Sequence, residues 1–319
     1  MTTDPDPDPV PASASGSDLD GAEPLESPIW YGPLREPSWL VPRVRDDAPR
    51  VMFCAEPWDE SAVDAPGRDL RLGVPMYLAE SIRFGTNGRP VVMRGPAGEA
   101  DAFADADMVV RSAVLPGGDP LLRLSIVDPR GAVLGEVLRE AHDGTTLGAA
   151  LEGLPHACAD ALGGGGVRPI WNSLYSLPSG GALVAYVRGQ RACLRVSEEA
   201  LARTADAASV ADRRDDVRAI LKSLGSLATS TTEPFPALLF FGALLAAYDV
   251  ASPVVGEFRL PANARCTIAT DPLDPVYAIS ALVLRIFGDR ATSERRLDKL
   301  RLTEDPAVHR WIDDVRALA

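Results

Sequence analysis

A run of four consecutive glycines, Gly163–Gly166, separates two parts of the chain whose hydrophobic patterns differ. Residues 50–162 alternate short apolar runs with helix-like stretches, whereas residues 180–319 follow a helical period almost throughout. The run is not a phosphate-binding loop, because such a loop needs Gly-Lys-Ser/Thr and none follows here. We therefore predict an α+β chain, with a small mixed α/β domain over residues 50–162, a Gly-rich hinge over residues 163–179 and an all-helical domain over residues 180–319.

The first predicted domain has the order strand, helix, strand, three-stranded meander and helix. The helix around Pro75 should begin near that residue, because proline fits only the first turn of a helix. Residues 59–71 before it are polar and predict a loop. The predicted strands are Arg50–Ala55, Pro90–Arg94, Met108–Leu115, Leu121–Val127 and Ala132–Glu140, with a bulge at Gly135, and the predicted helices are Leu72–Phe84 and Thr145–Leu162.

Five segments of this domain are similar to the TolB N-terminal-like domain, a family with the same order of elements. They are RVMFCAEP (Arg50–Pro57), LGVPMYLAESIRF (Leu72–Phe84), RPVVMRG (Arg89–Gly95), Ala106-Asp107 before the hairpin, and DPRGAVLGEVLREA (Asp128–Ala141). The sequence departs from the family at Ser112, where glycine is usual, and near Val137, where an aromatic residue is usual. The resemblance covers about a third of the chain and implies a binding or assembly module, with no catalytic residues to carry over.

Residues 180–319 contain helix-like stretches joined by short loops, which indicates stacked antiparallel helix pairs. Ser197, Asp274 and Asp305 stand where a side-chain oxygen could cap the start of a helix. No clean repeat period is visible, so a regular solenoid is not predicted. The predicted helices are Ala182–Arg195, Ser197–Thr204, Arg213–Ala228, Pro236–Tyr248, Pro275–Phe287, Ser293–Leu302 and Pro306–Leu318.

Residues 1–27 carry seven acidic residues and no lysine or arginine, and so hold over half of the formal net charge of -13. Their few apolar side chains cannot offset the entropy of ordering, which predicts a disordered acidic tail. The acidity of the whole chain argues against a general nucleic-acid binder, which should carry a basic surface.

Residues 28–49 form a Pro-rich connector with three large aromatic side chains, Trp30, Tyr31 and Trp39. A free linker would not carry aromatic residues of this size, because they bury large areas when they pack. We expect this connector to run extended across the folded body. Two interpretations remain open: the aromatic residues pack within the chain, or they dock on a partner.

The longest apolar run, Phe235–Tyr248, has 14 residues and contains a proline and a glycine. A membrane-spanning helix needs about 20 apolar residues, so this run predicts a buried core helix and no membrane insertion. The N-terminus also lacks the basic and apolar regions of a signal peptide. We therefore expect a cytoplasmic protein. Lys222 and Lys299 are the only lysines among many arginines, which indicates a GC-rich bacterial genome.

No pattern of residues predicts a catalytic, cofactor or metal site. The four cysteines form no Cys-x-x-Cys pair and are expected to be reduced, buried thiols. His156 and Cys158 lie two residues apart, which points them to different faces of a helix. No cofactor is predicted.

Five arginines fall within 17 residues near the C-terminus: Arg285, Arg290, Arg295, Arg296 and Arg301. Guanidinium groups bind carboxylates and phosphates in two-point contacts, so this cluster could receive an acidic partner. Acidic residues are interleaved with the arginines, which also fits an ordinary charged helix surface.

The sequence therefore predicts a non-enzymatic bacterial interaction or assembly module with a protein partner. The candidate interaction residues are Trp30, Tyr31, Trp39, Trp171, Tyr175, Arg285, Arg290, Arg295 and Arg296. The alternative is an enzyme or small-ligand sensor with its site at the junction of the two domains, near Trp171, Asn172 and Tyr175. The oligomeric state is not predicted.

Overall fold

The computed structural model of this chain describes residues 25–57, 65–96, 105–115, 121–141, 144–170, 175–201 and 207–318. The predicted acidic tail lies outside the described residues, except for its last three residues. All described strands precede residue 141, and from residue 180 onward the described elements are all helices. The predicted mixed α+β class is confirmed at this level.

The described strands form one mixed sheet in the order β2-β1-β3-β4-β5. Strand β1 lies parallel to both β2 and β3, and β3, β4 and β5 form an antiparallel meander. Strands β2 and β5 are therefore the two edges of the sheet. The bounds are β1 Arg50–Ala55, β2 Arg89–Pro96, β3 Met108–Leu115, β4 Leu121–Val127 and β5 Val133–Glu140.

One helix lies between β1 and β2, and the other described helices follow β5. Their bounds are α1 Ala65–Gly85, α2 Gly144–Glu152, α3 Leu154–Leu162, α4 Gly180–Leu201, α5 Ala207–Ser230, α6 Pro234–Glu257, α7 Arg259–Ile268, α8 Pro275–Ile286, α9 Arg290–Leu300 and α10 Pro306–Ala317. In the described part of the chain, no helix combines the length and apolar content needed to cross a membrane.

Helix α1 begins ten residues before Pro75, so the prediction that this proline marks the start of the helix was wrong. Proline inside a helix costs about 3 kcal/mol. Val74 and Met76 on either side of it are buried, and each buried side chain contributes about 1.5–3 kcal/mol. Packing of α1 between the sheet and α4 therefore outweighs the local cost of the proline.

Three predicted helix boundaries also differ from the observed ones. The stretch predicted as one helix over Thr145–Leu162 is divided into α2 and α3, because Pro155 stands in the first turn of α3. The predicted break at Ser197 is absent, because its hydroxyl donates to Cys193 O at 3.2 Å inside a continuous α4. Helix α7 was not among the predicted helices; its Pro261 lies in the first turn, where a proline is compatible with a helix.

The predicted caps at Asp274 and Asp305 are present. The Asp274 side chain accepts a hydrogen bond from Val276 N, and Asp305 accepts one from Ala307 N. A third aspartate, Asp289, caps α9 in the same way and was not predicted. The longest apolar run lies in α6 and is buried for most of its length, as expected for a core helix.

One cluster of buried side chains contains residues of the sheet, of α1 and of the later helices. Helix α1 packs directly on α4, on the other side of the predicted hinge. Within that hinge, Gly163–Gly165 form a single 3-10 turn and Gly166 has φ +87°. The division into two domains stays a prediction, and the hydrophobic core is continuous across it.

Candidate functional site

The outer edge of the sheet is formed by β5, which pairs only with β4 among the described strands. Three of its aliphatic side chains are largely exposed: Val133 by 70%, Leu134 by 57% and Leu138 by 49%. A free strand edge presents unpaired backbone N–H and C=O groups, and natural edges are usually blunted by charge or by distortion. This edge is partly blunted, because it carries charged residues and a bulge and because Arg139 Nη1 donates to Leu138 O at 2.9 Å, but it still exposes three aliphatic side chains.

The pairing register determines which way each β5 side chain points. Val137 lies opposite the buried Leu124, so it faces the helices and is itself buried. Glu136 and Leu138 lie opposite residues of β4 on the other face, where no described helix packs. The exposed face of β5 therefore alternates acidic and apolar side chains along Glu136, Leu138 and Glu140.

A register shift in β5 leaves Leu134 without a partner on β4. The sequence predicted this bulge at Gly135, one residue later. An extra residue bends a strand and turns its side chain away from the ladder, which accounts for the exposure of Leu134. Helices α2 and α3 pack against β5, and these contacts hold the edge strand in place.

The predicted aromatic connector makes its described contacts within the chain. The Trp30 side chain is completely buried, and its Nε1 donates to Glu80 Oε2 at 2.8 Å. The Trp39 ring meets the Trp311 ring edge to face at 4.9 Å, and Trp311 Nε1 donates to Leu34 O at 3.2 Å. Tyr31 is half-buried. A partner could reach Trp30 only if the connector left the body of the protein.

The predicted junction residues are described only in part. Trp171 and Asn172 lie outside the described residues. The ring of Tyr175 stacks on Phe84 at 5.0 Å, and its hydroxyl donates to Glu80 Oε1 at 3.1 Å. Tyr175 is therefore half-buried against Phe84 of α1 and Phe235 of α6.

The four candidate arginines do not form one surface. Arg285 donates to the carbonyls of Leu318 and Arg316 and pairs with Glu294 at 2.7 Å. These contacts satisfy backbone carbonyls at the end of α10.

Arg296 serves α7 in the same way, donating to the carbonyls of Cys266 and Ala269 and lying over the Tyr277 ring. Arg290 and Arg295 remain exposed, and Arg295 donates to Thr292 Oγ1. A partner-binding role for these four arginines stays a prediction.

A buried carboxylate that the sequence analysis did not single out lies at the centre of the molecule. Glu80 on α1 is 3% exposed, and its Oε1 accepts hydrogen bonds from Tyr186 at 2.7 Å and from Tyr175 at 3.1 Å. Together with the bond from Trp30, three donors from three segments meet on one side chain. Burial raises the pKa of Glu80 to about 7, although the hydrogen bonds from Tyr186, Trp30 and Tyr175 oppose that shift.

The position of Glu80 in the helical pattern is the sequence feature that could have identified it as buried. Met76, Glu80 and Phe84 follow one another at a spacing of four, which places the glutamate on an apolar stripe. A buried carboxylate needs donors, and the connector, Tyr175 and α4 supply them. The site holds a carboxyl whose protonation can change near neutral pH, on a side chain that is almost fully buried.

The cysteines are free and buried, as the sequence predicted. Burial raises the pKa of the Cys54 thiol to about 12, with Arg111 opposing the shift and Glu56 adding to it. Such a thiol is a poor nucleophile at neutral pH, because the thiolate is the reactive form. Within the described ranges, no three His, Cys, Asp or Glu side chains come together in a way that could hold a metal ion.

Comparison with known proteins leaves the chain without a family assignment. The similarity to the TolB N-terminal-like domain therefore stays a prediction. No protein-family model, no curated protein and no solved structure matches this sequence or its fold.

Proposed function

We propose that this protein is an interaction module that takes up an extended segment of a protein partner at the free edge of β5. The observation that carries the proposal is an open strand edge with three exposed aliphatic side chains, Val133, Leu134 and Leu138. Strand addition supplies main-chain hydrogen bonds for affinity, and alternate side chains give specificity.

The charges on the edge favour a particular kind of partner. Glu136 and Glu140 flank Leu138 on the exposed face, so basic residues alternating with apolar ones would fit opposite them. Residues 1–27 of the chain itself are a poor occupant, because they contain seven acidic residues and no basic one. The expected partner segment is therefore extended, basic and apolar in alternation, and part of another protein.

The proposal includes the finer predictions about fold and location. We propose that residues 50–162 have the TolB N-terminal-like fold, supported by the order β1, α1, β2 and the meander β3–β5. We also propose that α4–α10 stack as helix pairs and that the protein acts in the bacterial cytoplasm. The family resemblance, which implies partner binding without catalysis, supports the same function.

The test uses a labelled short peptide of alternating lysine and valine, with a glutamate and valine peptide as its charge-reversed counterpart. We expect the basic peptide to bind and to slow hydrogen exchange of the amides of β5. The variant Leu138→Lys should weaken binding roughly tenfold, because it removes an apolar cross-strand contact and adds a like charge.

The matched control is Leu302→Lys, since Leu302 is 84% exposed and lies outside the sheet. That variant should bind the basic peptide as the unaltered protein does. Equal binding of both peptides, or protection of amides elsewhere than in β5, contradicts the proposal.

A further inference from the structure

A cleft of about 620 Å³ lies at the opposite side of the sheet from β5, at the amino ends of β1 and β2. Its walls come from the connector, from the end of α1 around Arg83 and Asn87, and from residues 166–170. Its volume falls within the range of about 300–1,000 Å³ that is usual for small-molecule sites. The cleft therefore has the size and the position of a ligand site at the predicted junction.

The lining of this cleft is strongly basic. Four arginines contribute to it, namely Arg43, Arg45, Arg83 and Arg168, against one acidic residue, Asp47. Asp47 is already paired with Arg45 at 2.7 Å. Among the described residues, Arg43, Arg83 and Arg168 have no carboxylate within ion-pairing distance. Three guanidinium groups of the lining are thus available to a ligand. This local positive charge contrasts with the net charge of -13 of the whole chain.

Arg83 is the most unusual of these residues. Its side chain is half-buried, and its Nε is buried without a hydrogen-bond partner among the described residues. Burial lowers the pKa of Arg83, and the nearby Arg89 adds to that effect, while Tyr31 and Glu26 act in the opposite direction. A buried polar group without a partner is costly. An anion bound in the cleft would supply an acceptor to the Arg83 guanidinium, which lines it.

The opposite wall of the cleft is held in place by hydrogen bonds. Asn87 Oδ1 accepts from Arg168 N at 2.5 Å, and Asn87 N donates to Arg168 O at 3.1 Å. Ile170 N donates to Gly85 O at 2.7 Å, which satisfies a carbonyl at the end of α1. These contacts place Arg168 beside the end of the helix that carries Arg83. They also reduce the number of free carbonyls that would repel an anion there.

The apolar part of the lining sets a second requirement for the ligand. Val44, Phe84 and Ile170 contribute to the cleft beside the arginines, and Ile170 is 68% exposed. A purely ionic ligand would leave the exposed parts of Val44 and Ile170 in water, whereas Phe84 is already buried. The lining therefore suits a small molecule with a multiply charged head and an apolar body.

We propose that this cleft binds a small phosphorylated molecule, with Arg83, Arg43 and Arg168 around its phosphate and the apolar part against Val44 and Ile170. Guanidinium groups bind phosphate through two-point hydrogen bonds, and a multiply charged head matches three unpaired arginines better than a single carboxylate does. The site is independent of the β5 edge, which lies at the far side of the sheet.

The test is titration calorimetry with inorganic pyrophosphate as the probe and citrate as a multiply charged carboxylate, both at matched ionic strength. We expect pyrophosphate to bind more tightly than citrate. Arg83→Gln should weaken pyrophosphate binding at least tenfold, and Arg168→Gln should weaken it to a smaller extent. Arg290→Gln is the matched control, because it removes the same charge from an exposed position outside the cleft.

If Arg83→Gln does not fold, Arg168→Gln keeps the test decisive, since Arg168 is exposed and donates to Asn87 through its backbone. Absence of pyrophosphate binding by the unaltered protein overturns the proposal. Citrate binding as tight as that of pyrophosphate overturns the assignment to phosphate. Equal weakening by Arg290→Gln and Arg168→Gln shows an effect of overall charge and also overturns it.

Discussion

At the scale of single residues, Glu80 should make a distinct contribution to how the stability of the protein depends on pH. Its pKa is about 7 in the folded protein and near 4.5 in the unfolded chain, so the folded state holds the proton more tightly. The stabilisation is complete below about pH 4.5 and is lost as the pH rises through 7. By the relation of about 1.4 kcal/mol per pKa unit, the loss is on the order of 3 kcal/mol.

The variant Glu80→Gln should remove this part of the pH dependence. We expect urea unfolding at pH 5 and at pH 8 to show a smaller difference in the free energy of unfolding for Glu80→Gln than for the unaltered protein. The amide also turns a donor toward Trp30 Nε1, which lowers stability at every pH, so the slope and not the absolute value is compared. Glu304→Gln, an exposed carboxylate, serves as the control. An unchanged slope for Glu80→Gln would mean that this residue is ionised throughout.

At the scale of elements, α1 approaches α4 very closely at Gly73. A Cβ added to Gly73 would lie 2.1 Å from Val187 O and 2.8 Å from Val187 C. Because both atoms belong to the backbone, one of the two helices must move. We therefore expect Gly73→Ala to lower the free energy of unfolding by about 1–3 kcal/mol, the usual cost of overpacking.

The control for this variant is Gly181→Ala at the start of α4, where an added Cβ meets nothing within 4 Å. That change should leave stability unaltered or raise it by about 0.4–1 kcal/mol, because alanine restricts the unfolded chain. Urea unfolding of both variants measures the difference. Equal stabilities of the two variants would show that α1 and α4 do not approach as closely as described.

The elements themselves were largely predictable from sequence, whereas their contacts were not. The positions of β1–β5 along the chain and the caps at Asp274 and Asp305 follow local sequence patterns. The prediction for Pro75 was wrong because burial of the neighbouring side chains of α1 outweighs the cost of a proline inside a helix. The sequence predicted β5 as a strand. It did not predict that β5 is exposed, because that depends on which strand lies at the edge of the sheet. Glu80 was overlooked because its donors, Trp30, Tyr175 and Tyr186, are distant in sequence.

At the scale of the whole molecule, the sequence and the structure lead to different expectations for unfolding. A Gly-rich hinge between two domains predicts two units that unfold separately, as long chains often do. The structure has one buried cluster that joins the sheet to the helices beyond Gly163–Gly166. The hydrogen bonds from Trp30 and Tyr186 to Glu80 tie the connector and α4 to α1 as well. We therefore expect one cooperative unit.

Two core variants, one on each side of the glycine run, can distinguish these expectations. Leu124 in β4 and Leu282 in α8 are both completely buried, and truncation of either to alanine should cost about 2–5 kcal/mol. In a single unit, each variant speeds native-state hydrogen exchange of the slowest amides of β3 and of α8 by one and the same factor, set by its own loss of unfolding free energy. In two units, each variant speeds exchange only on its own side. If Leu124→Ala leaves exchange in α8 unaffected, the two-domain division is established. The buried cluster that spans the glycine run is then an interface between two parts that are stable separately.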